Sequence, residues 1–318
     1  MYQVKRDSDS EFVPLRELDY HVLSWGKPTA GRAPLVMVHG WMDVGASWQF
    51  VVDAFSAAFM QGRHIIAPDW RGYGLTRPGS ARPAAPGAGA RFSAADNFWF
   101  PDYLADLDFL LDHYAPGQPV DLVGHSMGGN VVMLYAGVRP ERVRRLINLE
   151  GFGMPATRPS QAPNRYARWM DELKSLHRGD LTLKTYDDAI GVARRLMKTN
   201  PRLGQDKAEW LARHWARPNA QGQWEILGHA AHKVVNAQLY RVDEALEIYQ
   251  RISAPTLSVQ ASDNQMDQWW QGKYTLAEYH ERLKKVARLS QAQVTDAGHM
   301  LHHDQPQQLA TLIESFLE

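Results

Sequence analysis

Two hydrophobic patterns alternate along the first half of the chain. Short apolar runs at 20–25, 35–38, 64–67, 120–123 and 145–149 are too brief for helices and read as strands. Between them, 48–59, 103–114 and 131–138 repeat apolar residues every three to four positions, the period of a helix with one buried face. Residues 28–34 read as a turn between the first two strands, and the Pro/Gly/Ala-rich stretch 78–90 as a mobile loop. Alternation at this spacing predicts a mostly parallel sheet with helices on both faces.

From about 154 to 249 the alternation stops. Helical periodicity covers 166–177, 186–198, 207–215 and 234–249, and Trp169, Trp210, Trp215 and Trp224 lie among these segments. Strand 256–259, helix 276–286, strand 291–294 and a closing helix 307–317 then resume the first pattern. The expected organisation is an α/β core from 1–153 and 251–318, interrupted at 154–250 by a helical insertion of lid type. No internal repeat is present.

Composition narrows the function classes. A chain of 318 residues can form one large domain or two small ones. Its 35 basic and 35 acidic residues cancel, which points away from nucleic-acid and membrane-surface partners. There is no cysteine, so disulfides, thiol catalysis and cysteine-ligated zinc are excluded. The first eight residues carry no apolar stretch and no run reaches membrane-span length, so a cytoplasmic protein is expected. No motif reports oligomeric state.

The chemistry begins at Val123-Gly124-His125-Ser126-Met127-Gly128-Gly129. This is G-x-S-x-G between a strand and a helix, a turn that lifts Ser126 Oγ above the sheet edge as a nucleophile. Gly124 and Gly128 would let strand and helix approach closely. Leu35-Val36-Met37-Val38-His39-Gly40-Trp41 runs a second strand into a turn. The backbone N–H groups of Trp41 and Met127 are then the natural pair of donors for a developing oxyanion. His39, Gly40 and His125 flank these groups and are expected to line the substrate.

The base is expected late in the chain, at Asp296-Ala297-Gly298-His299-Met300-Leu301-His302-His303. His299 follows directly on the Gly-containing turn, whereas His302 and His303 are read as starting or capping the next helix. A metal pair of His299 and His303 has no second ligand cluster behind it, so no metal is expected. The carboxylate that orients the histidine has two candidates, Asp263 after strand 256–259 and Glu150 after strand 145–149. Both fall at carboxyl ends of strands. Asp267 is a weaker third.

His39-Gly40-Trp41, Asp69-Trp70-Arg71-Gly72-Tyr73-Gly74, Gly124-His125-Ser126-Met127-Gly128-Gly129 and Ala297-Gly298-His299 together resemble the α/β-hydrolase fold superfamily over nearly the whole chain. Within it, His39-Gly40-Trp41-Met42-Asp43 and Asn148-Leu149-Glu150-Gly151-Phe152-Gly153 resemble the serine hydrolase-like family. The resemblance implies a helical lid inserted after strand six, and a supporting rather than catalytic role for Arg71. Haloalkane dehalogenases and epoxide hydrolases share the frame but place aspartate where Ser126 stands, which disfavours their chemistry here. A related dehalogenase subgroup places its acid where Glu150 stands; the commoner serine hydrolase pattern favours Asp263. The expected activity is a serine esterase without cofactor, acting on a small to medium apolar ester through Ser126, His299 and one of the two acids. The alternatives are a carbon–carbon bond hydrolase or lactonase with the same residues, and a ligand-binding protein of this fold with little turnover. The adjacent Trp269 and Trp270 suggest an aromatic pocket.

Overall fold

Strict alternation along short buried strands builds the centre of the molecule. The computed structural model describes residues 2–79 and 96–318. Its main sheet contains β1 (Asp9–Leu15), β2 (Leu18–Trp25), β3 (Leu35–Val38), β4 (Ile65–Pro68), β5 (Arg77–Pro78), β6 (Val120–His125), β7 (Val143–Leu149), β11 (Thr256–Ala261) and β12 (Leu289–Val294). The order is β1-β2-β4-β3-β6-β7-β11-β12, with β5 beside β2. Pairing is parallel from β4 through β12 and antiparallel among β1, β2, β4 and β5. Of the loop expected at 78–90, residues 80–90 lie outside the described residues.

Each face of the sheet has its own core, and the period of two along the strands divides them. Leu35 and Met37 of β3 and Val123 of β6 pack on one side with Phe50 and Val51 of α1 (Gln49–Ala54) and Ile313 of α12 (Pro306–Leu317). Val36, Val38, Val120 and Leu122 point to the other side, against Leu107 of α3 (Phe100–Tyr114) and Val131 of α4 (Met127–Val138). Full burial of each such aliphatic contributes about 1.5–3 kcal/mol. The helix expected over 48–59 is broken. Phe55 turns extended, and Ser56 caps a separate α2 (Ala57–Met60) by accepting from the Phe59 N–H.

Between β7 and β11 the chain forms α5 (Ala162–His177), α6 (Ala189–Thr199), α7 (Gln205–Trp215) and α8 (Val242–Gln250). This stretch differs from the purely helical expectation in three ways. A small antiparallel sheet, β8 (Thr185–Tyr186), β10 (Trp224–Ile226) and β9 (Ala216–Pro218), joins the helices and carries Trp224. Residues 234–241 are not helical. α8 packs directly on α4 of the core: a Cβ on Gly137 would lie 2.1 Å from the Ile248 carbonyl oxygen. By contrast, Val192 and Leu196 of α6 and Leu211 of α7 belong to the same buried cluster as Phe50 and Met37. No helix among the described residues is long and apolar enough to cross a membrane.

Candidate active site

The parallel strands β3, β6, β7, β11 and β12 end along one edge of the sheet, and the chemically able side chains lie just beyond those ends. At the end of β6, Ser126 adopts φ +52° and ψ −115°, a conformation that L residues avoid. The turn survives because its neighbours are glycines. A Cβ on Gly124 would meet the Gly128 carbonyl oxygen at 2.3 Å, and one on Gly128 would meet the Val38 carbonyl oxygen at 2.5 Å. The Ser126 N–H donates to the Leu149 carbonyl of β7 (2.8 Å), which ties the elbow to the next strand.

Ser126 Oγ lies 2.9 Å from His299 Nε2, and His299 Nδ1 lies 3.2 Å from Glu150 Oε2. The other oxygen of Glu150 accepts from the Ala261 N–H at 2.7 Å, so the carboxylate is held from both sides. Glu150 follows β7, is almost wholly buried, and takes φ +57°. Burial pushes its carboxyl up, while the hydrogen bonds from His299 and Ala261 favour the ionised form. The Trp269 ring of α9 (Met266–Trp270) stands edge-on to the imidazole of His299, centroids 4.5 Å apart.

Asp263 is not brought to His299. It lies exposed beyond β11, and its carboxylate pairs with Arg202 from the stretch between β7 and β11. Asp267 sits exposed in the first turn of α9. The structure therefore joins one of the two expected acids to the histidine and leaves the other at the surface.

The two expected backbone donors, the Trp41 and Met127 N–H groups, belong to turns next to Ser126. Met127 opens α4, so its N–H has no carbonyl one turn back to donate to. The 40–41 turn lies against the elbow: a Cβ on Gly40 would be 3.0 Å from the Ser126 Cβ. The Trp41 ring is exposed at the surface beside it. His39 and His125, expected to line the substrate, are instead buried. Bonds on both sides lock the His39 ring: Nδ1 donates to the Gly40 carbonyl (2.8 Å) and Nε2 accepts from the Trp70 N–H (2.9 Å). The Nε2 of His125 donates to the His299 carbonyl at 2.7 Å. Burial pushes both imidazoles below their ordinary value. These bonds fix the two rings within the loops they leave.

Supporting residues close the arrangement. Asp69 accepts from the Gly45 and Leu75 N–H groups and pairs with His21, while Arg71 grips Asp106 with two nitrogens. Asp304 accepts from the Gly298 N–H and from Asn200, steadying the His299 loop. Nothing in the sequence marked Asp304 or Arg202, because each acts across more than 60 positions or through a turn. A cleft of about 940 Å³, lined by Arg63, His64 and Arg144, lies at the opposite, amino-terminal edge of the sheet and contains none of these groups.

The sequence profile of the family described as "alpha/beta hydrolase fold" matches residues 33–306. The chain belongs to the α/β hydrolases. Among the relatives of this α/β hydrolase, a "Serine hydrolase-like protein" of Danio rerio is 24% identical over 98% of this chain and 90% of that protein. A "2-hydroxymuconate semialdehyde hydrolase" of Pseudomonas sp. (strain CF600) is 33% identical over a shorter stretch, 38% of this chain and 37% of that enzyme. Among solved structures, the "Thioesterase Domain From Curacin Biosynthetic Pathway" superposes with a TM-score of 0.77 over 96% of this chain and 99% of that one; at 23% identity it shows the shared fold. The α/β hydrolase resembles the serine hydrolase-like family, and its relatives are hydrolases of several kinds.

Proposed function

We propose that this α/β hydrolase is a serine hydrolase that cleaves carboxylic esters of small to medium apolar acids. The observation that carries the reading is the unbroken chain Ser126 Oγ, His299, Glu150 at 2.9 and 3.2 Å. Ser126 Oγ attacks the ester carbonyl carbon while His299 Nε2 takes its proton. The Trp41 and Met127 N–H groups hold the carbonyl oxygen as it becomes negative. Glu150 faces His299 Nδ1, fixes the tautomer and stabilises the imidazolium. The imidazolium gives its proton to the leaving alcohol, which departs and leaves an acyl-serine. His299 then draws a proton from water, whose oxygen attacks the acyl carbon, and returns that proton to Ser126 Oγ as the acid departs.

Two further features support this reading. Trp41 and Trp269 place aromatic surface beside Ser126 and His299, suited to an apolar acyl group. The inserted stretch acts as a lid: Trp215 bonds to Asp43 beyond the oxyanion turn, and Gly228 bridges Tyr73. A second reading, hydrolysis of a carbon–carbon bond, rests on the likeness to the 2-hydroxymuconate semialdehyde hydrolase. The test is turnover of p-nitrophenyl esters from acetate to long acyl chains. Multiple turnover that falls at least about 10⁴-fold in Ser126→Ala is expected. A wild-type protein inert across the whole series would sink the ester reading and shift the weight to carbon–carbon cleavage.

A further inference from the structure

Behind Ser126 lies a second polar cluster that the hydrolytic reaction leaves unused. Asp43, His125 and His302 each bring one carboxylate oxygen or ring nitrogen within 4.8 Å of the others, and all three residues are buried. His125 Nδ1 has no hydrogen-bond partner among the described residues, while Asp43 and His302 form an ion pair. The rest of each side chain, where it bonds, is fixed. Asp43 Oδ1 accepts from the Val44 N–H (2.9 Å), the Trp215 indole (3.0 Å) and the Ser47 hydroxyl. His125 donates through Nε2 to the His299 carbonyl, which leaves the lone pair on Nδ1. A carboxylate oxygen and an imidazole lone pair thus converge, each oriented by an outer bond as metal ligands are. His302 Nε2 stands 3.5 Å from Asp43 Oδ2. Ligands on tetrahedral zinc, with bonds of about 2.0–2.1 Å, sit roughly 3.3–3.4 Å apart.

We propose that Asp43, His125 and His302 bind a divalent transition-metal ion such as Zn²⁺, and that the ion inhibits the enzyme. Two imidazoles and one carboxylate carry one negative charge and match the borderline-soft donor set that zinc takes. Each ligand adjoins a different part of the site: Asp43 lies two residues beyond Trp41, His125 precedes Ser126, and His302 follows His299 by three. The His125 and His299 rings are 4.9 Å apart. A dication there opposes the imidazolium that His299 must form, so it lowers kcat more than it changes KM. The inhibitory part rests on the proposed function; the binding part does not.

The test titrates chelator-treated protein with Zn²⁺ by calorimetry and with Co²⁺ by its visible absorption. One equivalent is expected to bind, with affinity at least about 100-fold lower in His302→Gln and in Asp43→Asn. Circular dichroism reports that each variant is folded, and His303→Gln serves as a buried neighbour that keeps the site. Ester turnover by wild-type protein should fall with Zn²⁺ and recover with EDTA. Absence of stoichiometric binding overturns the site. So does unchanged affinity in folded His302→Gln, which would put the ion on His299 or at the surface. Tight binding with undiminished turnover would overturn the inhibition alone.

Discussion

Glu150 sits at φ +57°, and Met42, Ser126 and Asp296 sit at +53°, +52° and +51°. All four lie in loops that leave β3, β6, β7 and β12, at the edge where the candidate site is built. Non-glycine residues held there cost about 1–3 kcal/mol each, so the strain is concentrated where side chains must be aimed. At this scale the two acids separate. Glu150→Gln should lower the acylation rate about 10⁴-fold, because His299 would lose the group that fixes its tautomer. Asp263→Asn removes an exposed pair with Arg202 and should change the rate by no more than about 3-fold. Stopped-flow acylation compares them, and equal losses would show that both carboxylates serve His299. The serine and the histidine were legible in the sequence because strain, glycines and strand ends are local. The choice of acid was not: β7 and β11 are neighbours, and both candidates leave the same edge. Arg202, which draws Asp263 outward, is 61 positions away.

One segment that the sequence misjudged has a visible cause. Residues 234–241 have helical periodicity, yet side chains of α5 satisfy their backbone. The Val235 N–H donates to Glu172 at 2.6 Å, and the Asn236 carbonyl accepts from Arg165 at 3.3 Å. Tertiary partners replaced the intrahelical bonds that propensity assumes. The strands expected in the core, by contrast, kept close to their pattern, with β3 unchanged, β4 shifted by one residue and the others lengthened by two. The α4–α8 contact makes a prediction of its own. Gly137→Ala would drive a methyl into the Ile248 carbonyl and push α8 off the core. A loss of about 1–3 kcal/mol in urea-induced unfolding is expected, and a wild-type midpoint would mean that the helices part easily.

Across the whole molecule, buried histidines set the response to acid. Burial holds His39, His125 and His303 below their ordinary 6.5, and His232, stacked 3.9 Å from Tyr73 and from Phe98, is pushed down to about 3. The unfolded chain protonates first, so folding stability falls as pH drops below 6.5, by about 1.4 kcal/mol per pH unit for each histidine that stays neutral. Glu150, raised by burial, works in the opposite sense: its contribution is lost as pH rises through its folded value. Asp121 is likewise raised by burial, but these two carboxyls are outnumbered by seven lowered imidazoles, His64, His214 and His229 among them. The Tm should therefore climb from pH 5 to 7 and then level; a flat profile over that interval would contradict the neutral burial of these rings. The stretch between β7 and β11 also divides into two mechanical regimes. α6 and α7 share the buried cluster of the sheet, whereas α5 has no fully buried residue. Tolerance to mutation is then uneven along a single stretch of chain. Selection, natural or in the laboratory, can rewrite α5, apart from Arg165 and Glu172, without loosening the frame, while the same freedom in α6 or α7 would disturb the buried cluster on the sheet.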